Sequence, residues 1–444
     1  MVKAVNLDYA SAPRPGLVFG CLMPAPWLGV VAGLLLVLGP VDALPDRFAP
    51  LALAAVHALA LGMLLPVMLG ALFQMMPVVA GVSVPFAGLV SPFVAAAGAG
   101  TAAALAAGFL GSGATAFRWA VATGGTFLTL AGLLLLAAGL RVAAVDATTR
   151  TLAWIGAPLI VTALGGAALA GLFGGMWTVA PEQVLALHVV WGLGGWLAAL
   201  VSGVATTVLP MFWQTERLPS WLERCLPYGH WLLLLVFSIV VIARPGGAVE
   251  RFALVPWLLF AMVLGACALK AAWRARRRHD PQWVLWPVSA LSLLLAALLV
   301  TASALMPDQM PAAAQWCIGV LALIGGGVLP VNAMLGKIVP FLVWLHLRRL
   351  LPPRARVPAM QVIISPDSQK RQGWMVLAAF LVLLAVPLAP GLLAKVGGVL
   401  FAITNGWLGV QLLRALRCMR VMRKQGGLPP RVAAAVAEHG VPPN

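Results

Sequence analysis

The chain has 444 residues, of which 62% are hydrophobic and 9% charged, against about 25% charged in a soluble domain. That balance excludes a water-soluble protein built on one ordinary core and points to an integral membrane protein without a separate soluble domain. A net charge of +17 would suggest nucleic acid in a soluble chain. Here the basic residues sit between apolar runs, where anionic lipid headgroups are the simpler partner and nucleic acid is not expected.

Taken in chain order, runs able to cross about 30 Å of hydrocarbon fall at 17–38, 50–76, 84–108, 117–140, 151–175, 183–210, 228–243, 252–270, 283–305, 313–345, 373–392 and 395–415. The sequence therefore predicts an all-α polytopic membrane protein of twelve transmembrane helices, 1–444 forming a single membrane domain. The first run lacks a basic n-region with a small-residue cleavage site, so it reads as a retained helix. Pro66 and Gly325-Gly326-Gly327 mark kinks or locally broken helix. The cysteines, Cys21, Cys225, Cys267, Cys317 and Cys418, form no CxxC or CxxCH, so neither a thiol redox pair nor a c-type haem attachment is indicated.

Charge tests the count. With a cytoplasmic N-terminus, Lys and Arg divide 24 to the inner side, Lys337 included, and 5 to the outer: Arg47, Arg118, Arg244, Arg251 and Lys395. This is the asymmetry of the positive-inside rule. It predicts both termini in the cytoplasm, as expected of a multi-pass protein of a bacterial inner membrane, and "WRARRRHD" at 273–280 as a solvated inner loop.

"GALFQMMPVV", "GVATTVLPMF" and "MLGKIVPFLV" end alike, and their prolines, Pro77, Pro210 and Pro340, lie 133 and 130 residues apart. Each falls near the inner end of an even-numbered helix: the second, sixth and tenth. Four helices separate successive members. The spacing predicts three four-helix units, 17–140, 151–270 and 283–415, around a pseudo-threefold axis lined by those three helices, with 416–444 a polar cytoplasmic tail. Such repeats recur in membrane folds.

His57 lies 20 residues before Pro77, and His188 lies 22 before Pro210. At 1.5 Å per residue that is about 30 Å, so both belong near the outer ends of their helices. The third unit offers Gln315 and Cys317 there instead. His230 and His346 fall on the inner side beside basic loops, and are expected to hydrogen-bond across helix interfaces. His279, in the basic loop, and His439, in the tail, carry no role. Imidazole ligates haem iron and copper, and intramembrane ionisable residues are functional candidates by default. His57 and His188 are thus expected to face one another and share a metal, haem b or copper, with Cys317, a methionine or water as a further ligand. The competing expectation is two interface histidines and no cofactor.

Twelve helices with inner termini, three four-helix units and a histidine near the outer start of helices two and six resemble the catalytic subunit of the haem–copper oxidases and their nitric-oxide-reducing relatives. "GVATTVLPMFWQTERLPSWL" and "GKIVPFLVWLHL" are similar to stretches of bacterial membrane proteins distantly grouped with that superfamily. The resemblance implies haem held between histidines of helices two and ten, and a second metal held by one histidine of helix six and two of helix seven. His57 matches the helix-two position and His188 the helix-six position. Helix ten has no outer histidine, helix seven lacks the outer pair, and His188 is followed by "VVWG" in place of a proline–glutamate-type motif, so oxygen reduction is not carried over.

Gln74 and the nearby Met63, Met68, Met75 and Met76 read first as packing. Lys337, three residues before Pro340, either snorkels to the inner headgroups or lines a polar path with Gln74. Three functions follow as expectations. One is a haem- or copper-binding protein in electron transfer or oxygen and nitric oxide handling, with a membrane electron-transfer partner. The others are a twelve-helix transporter and a scaffold or assembly protein with a degenerate site. The spans contain no buried acidic residue, which weighs against proton coupling through a carboxylate.

Overall fold

The structure, a computed structural model, describes residues 8–244 and 247–428; Lys3, Arg431 and His439 lie outside them. It is all-helical apart from turns and loops, and ten of its helices are long and apolar enough to cross a membrane. In chain order we label α1 Pro15–Leu38, α2 Pro50–Ala80, α3 Ala87–Ser112 and α4 Ala114–Gly139. Next comes α5, Ala147–Trp154 continuing into Gly156–Phe173. Then follow α6 Pro181–Trp213, α7 Tyr228–Ala243, α8 Gly247–Trp273, α9 Leu285–Leu305 and α10 Ala312–Leu350. Last are α11 Pro366–Leu384 and α12 Pro390–Gln425. The two outside the group of ten are α7, with 16 residues, and α11, whose 19 residues open on Asp367, Lys370 and Arg371.

Two boundaries move. The run read as 373–392 is closed at Leu384 by a turn at 386–388 containing Pro387, and Pro390 opens the next helix, as proline does at a first helical turn. The segment read as a polar tail from 416 is helical as far as Gln425, where Gly426, at φ 72°, ends it in the left-handed conformation. The loop 274–284 is not wholly solvated either, because the amides of Arg276 and Arg277 donate to the carbonyls of Gln214 and Trp213 at the end of α6.

Glycine decides which helices pack closely. A Cβ on Gly33 of α1 would lie 2.6 Å from the Gly398 carbonyl oxygen of α12, and one on Gly398 2.6 Å from the Gly33 oxygen. Gly132 of α4 and Gly156 of α5 meet in the same reciprocal way, and Gly265 of α8 faces the Ala290 carbonyl of α9 at 3.4 Å. Without a hydrophobic force between helices in lipid, such close backbone approach is the main source of association. The three seams, α12–α1, α4–α5 and α8–α9, join the last helix of one four-helix unit to the first of the next.

At the centre stand α2 and α10. Their most apolar stretches are 67% and 78% buried, against 39% for α6 and 17% for α8. Each of α2, α6 and α10 carries a long π-helical segment: Ala58–Leu64, Trp191–Ala198 and Val320–Val328. These begin 19, 19 and 20 residues before Pro77, Pro210 and Pro340, so the repeat seen in the prolines extends to the backbone. In α2 and α10 the α-helix resumes at Leu65-Pro66 and Leu329-Pro330. A proline ring there clashes with the carbonyl four residues back and leaves it without its donor, and the wider π-turn absorbs both faults. In α6, "GLGG" (192–195) does the same without proline. The kinks expected at Pro66 and Gly325–Gly327 are therefore widened turns, and the helices stay continuous. Where the three meet, a Cβ on Gly327 would lie 3.1 Å from Leu64 of α2 and 3.4 Å from Leu197 of α6.

Candidate functional site

His57 and His188 each sit two turns into their helix, seven residues past Pro50 and Pro181. Each immediately precedes, or lies three residues before, the π-segment of that helix. The structure brings them together. Their ring centres are 6.4 Å apart and their planes differ by 8°. His57 Nδ1 is 2.7 Å from the Leu53 carbonyl oxygen of its own helix, and His188 Nδ1 is 3.0 Å from the Thr162 carbonyl oxygen of α5. A carbonyl only accepts, so both Nδ1 atoms carry the proton and donate it. Each Nε2 is then left with its lone pair, and among the described residues neither Nε2 has a hydrogen-bond partner.

That donor set fits a metal. Orientation of a ligating imidazole by Nδ1–H to a backbone carbonyl is the usual second shell. Metal–imidazole bonds of about 2.0–2.1 Å, together with a ring-centre-to-nitrogen distance of about 1.1 Å on each side, place two trans imidazole centres about 6.3 Å apart. The surroundings are apolar and flat. Phe109 lies 5.5 Å from His57 and packs edge-on against Phe117 and Phe173 at 5.3 and 6.4 Å. On the other side, His188 rests on Gly165 and Gly166 of α5, where a Cβ would come within 3.2 Å of His188 Cβ and 3.0 Å of its Cε1. The glycine pair, which the sequence reading passed over, is the notch that seats the ring.

The other candidates lie elsewhere. His230 is buried and fully engaged: Trp257 Nε1 donates to its Nδ1 at 3.1 Å, and its Nε2 is 3.3 Å from Ser202 Oγ. His346 is buried beside Phe19, with Nε2 unpartnered among the described residues. Cys317, at the position in α10 that matches His188, turns its thiol to the Leu384 carbonyl oxygen of the α11 end at 3.8 Å, and Gln315 accepts from Arg47 at 3.2 Å. Neither joins the histidine pair. Among the described residues no group of three or more His, Cys, Asp or Glu is placed to hold a metal, so any metal here would have two protein ligands. The histidine of helix two thus meets that of helix six, where the oxidase resemblance implied a partner on helix ten.

A second polar cluster lies at the other end of α10. Lys337 Nζ is 2.5 Å from Asp280 Oδ2 and donates to Gln369 Oε1 at 3.2 Å, above the ring of the buried Trp213. Lys337 is thus paired inside the protein, by a carboxylate that the sequence places in a loop and the fold turns inward. Deeper along α10, Gln372 Nε2 donates to Asn332 Oδ1 at 2.7 Å and to Thr404 Oγ1 at 3.2 Å, and Gln411 donates to Gln372 at 3.4 Å. Gln74 is buried with Oε1 unpartnered among the described residues and shares no hydrogen bond with this cluster. No protein-family model matches the chain, and no curated protein matches it.

Proposed function

We propose that the protein is a membrane metalloprotein in which His57 and His188 hold one metal between them, the iron of a haem b. The observation that carries this reading is the pair itself: parallel rings 6.4 Å apart, each with Nδ1 tied to a carbonyl and Nε2 free. Bound there, a haem supplies one-electron exchange. The residues do the rest. Two imidazoles fill both axial positions, Phe109 and the glycine notch keep the surroundings apolar, and electron transfer fits this arrangement better than oxygen chemistry, which needs an open position. A membrane electron carrier is the implied partner.

The reading includes a topology. All twelve helices cross the bilayer, both termini lie in the cytoplasm of a bacterium, and three four-helix units surround a pseudo-threefold axis. The three glycine seams and the three π-segments support the axis, and the 24-to-5 division of basic residues supports the orientation. His57 and His188 then lie in the outer leaflet and Lys337 in the inner one.

Visible absorbance and metal analysis of the purified protein test the site. A Soret band with one iron per chain is expected; one copper per chain without a Soret band would keep the ligands and replace the haem. A colourless, metal-free protein would reject the proposal in favour of transport, for which the buried amides around Gln372 would be the place to look.

A further inference from the structure

The two histidines are held unequally. His188 is fixed from outside its own helix: its Nδ1–H reaches the Thr162 carbonyl of α5, its Cβ and ring edge rest on Gly165 and Gly166, and Thr162 is itself tied to the Pro158 carbonyl at 2.7 Å. Moving that ring means moving α5 against α6. His57 has no such anchor. Its Nδ1–H bonds only to Leu53, one turn back on the same helix. The next residue enters the π-segment Ala58–Leu64, where the backbone already departs from α geometry. Its other neighbour is Phe109, which stands in a second π-segment, Gly108–Ser112, broken by Gly111 at φ 106° and followed by Gly113 at φ 84°. Both sides of His57 are built from backbone that can shift without breaking an interhelical hydrogen bond.

From this asymmetry we infer that His188 is the permanent ligand and His57 the exchangeable one, so that a neutral diatomic gas of the carbon monoxide and nitric oxide class takes the place of His57 on the metal. This rests on the bis-imidazole reading above. In the exchange one metal–nitrogen bond to His57 Nε2 breaks and one metal–ligand bond forms opposite His188. The proton stays on His57 Nδ1, still bonded to Leu53, and no electron is gained or lost. The gas reaches the site through hydrocarbon, in which it dissolves, and the phenyl cluster of Phe109, Phe117 and Phe173 offers it no competing polar group. A six-coordinate electron-transfer centre would in this way also report the gas.

The test is carbon monoxide titration of the full-length, dithionite-reduced protein followed by its Soret spectrum, with haem content measured per chain. The parent should shift to a carbon monoxide spectrum. His57→Ala should keep its haem and bind carbon monoxide about tenfold more tightly or better, since the affinity of the parent is reduced by the fraction of molecules in which His57 is off the metal. Phe109→Ala, which leaves both ligands in place, should speed binding without loss of haem. His188→Ala should lose the haem. A haem-loaded parent inert to carbon monoxide would overturn the inference and leave the bis-imidazole site standing, as would haem loss in His57→Ala with retention in His188→Ala. A parent without haem would overturn both.

Discussion

The two ends of the molecule solve the same problem differently. At the Lys337 end, polar groups in an apolar interior are matched to one another: ammonium to carboxylate and amide, amide to amide and hydroxyl. At the His57 end, two imidazoles meet with a lone pair left over on each. A matched set is complete as it stands, and an unmatched one at such cost of burial has room for a ligand. The repeat sharpens the contrast. Thr207 stands three residues before Pro210 as Lys337 does before Pro340, and its Oγ1 lies 2.8 Å from Thr148 Oγ1 at the start of α5. Asp280 precedes α9 in the same way. One unit ties the start of its first helix to its third with a neutral hydrogen bond, the other with an ion pair, so the scaffold itself requires only the tie.

The largest effect expected is all-or-none. His188→Ala should remove the metal, read by elemental analysis, while Lys337→Met should leave it bound; metal loss from both would make the two ends one site. Next comes stability. Lys337→Met strands a mostly buried carboxylate and should lower unfolding stability in detergent by about 3 kcal/mol, whereas His57→Ala, half-buried and tied only to its own helix, should cost about 1 kcal/mol. Equal losses would mean that the histidine pair is as structural as the ion pair. Smaller still is the double variant Lys337→Thr, Asp280→Thr, which copies the Thr148–Thr207 tie and should come within about 1.5 kcal/mol of the parent. A loss as large as that of Lys337→Met would show that the third unit needs its charges. The last prediction is a label, not an energy: cysteine at Arg276 should react with an impermeant thiol reagent only after the cytoplasmic face is opened, and reaction in intact cells would invert the two ends.

Much of this frame was legible beforehand. Apolar runs long enough to cross hydrocarbon can hardly be anything but helices there, because only a helix pairs all its backbone groups within one segment. The proline spacing likewise reported a repeat that returned as three π-segments. The histidine depths were legible too, since rise per residue converts directly into distance. The identity of neighbours was not. Nothing in the letters says that Gly165 and Gly166 lie under His188, that Cys317 turns to α11, or that Asp280 folds inward to Lys337. The separations Thr148 to Thr207 and Asp280 to Lys337, 59 and 57 residues, carried a faint signal of the last.

What the sequence by itself determined is therefore one-dimensional: which segments are helical and apolar, how deep each side chain sits along its helix, and where the charges accumulate. These follow from length, hydropathy and a fixed rise per residue. The tertiary structure alone decided which sides of those helices face one another, because rotation about a helix axis is set by contacts with other helices. Glycine seams let backbones approach, π-turns shift the angular register by a fraction of a turn, and with that register came the pairing of His57 with His188 instead of with a residue of α10.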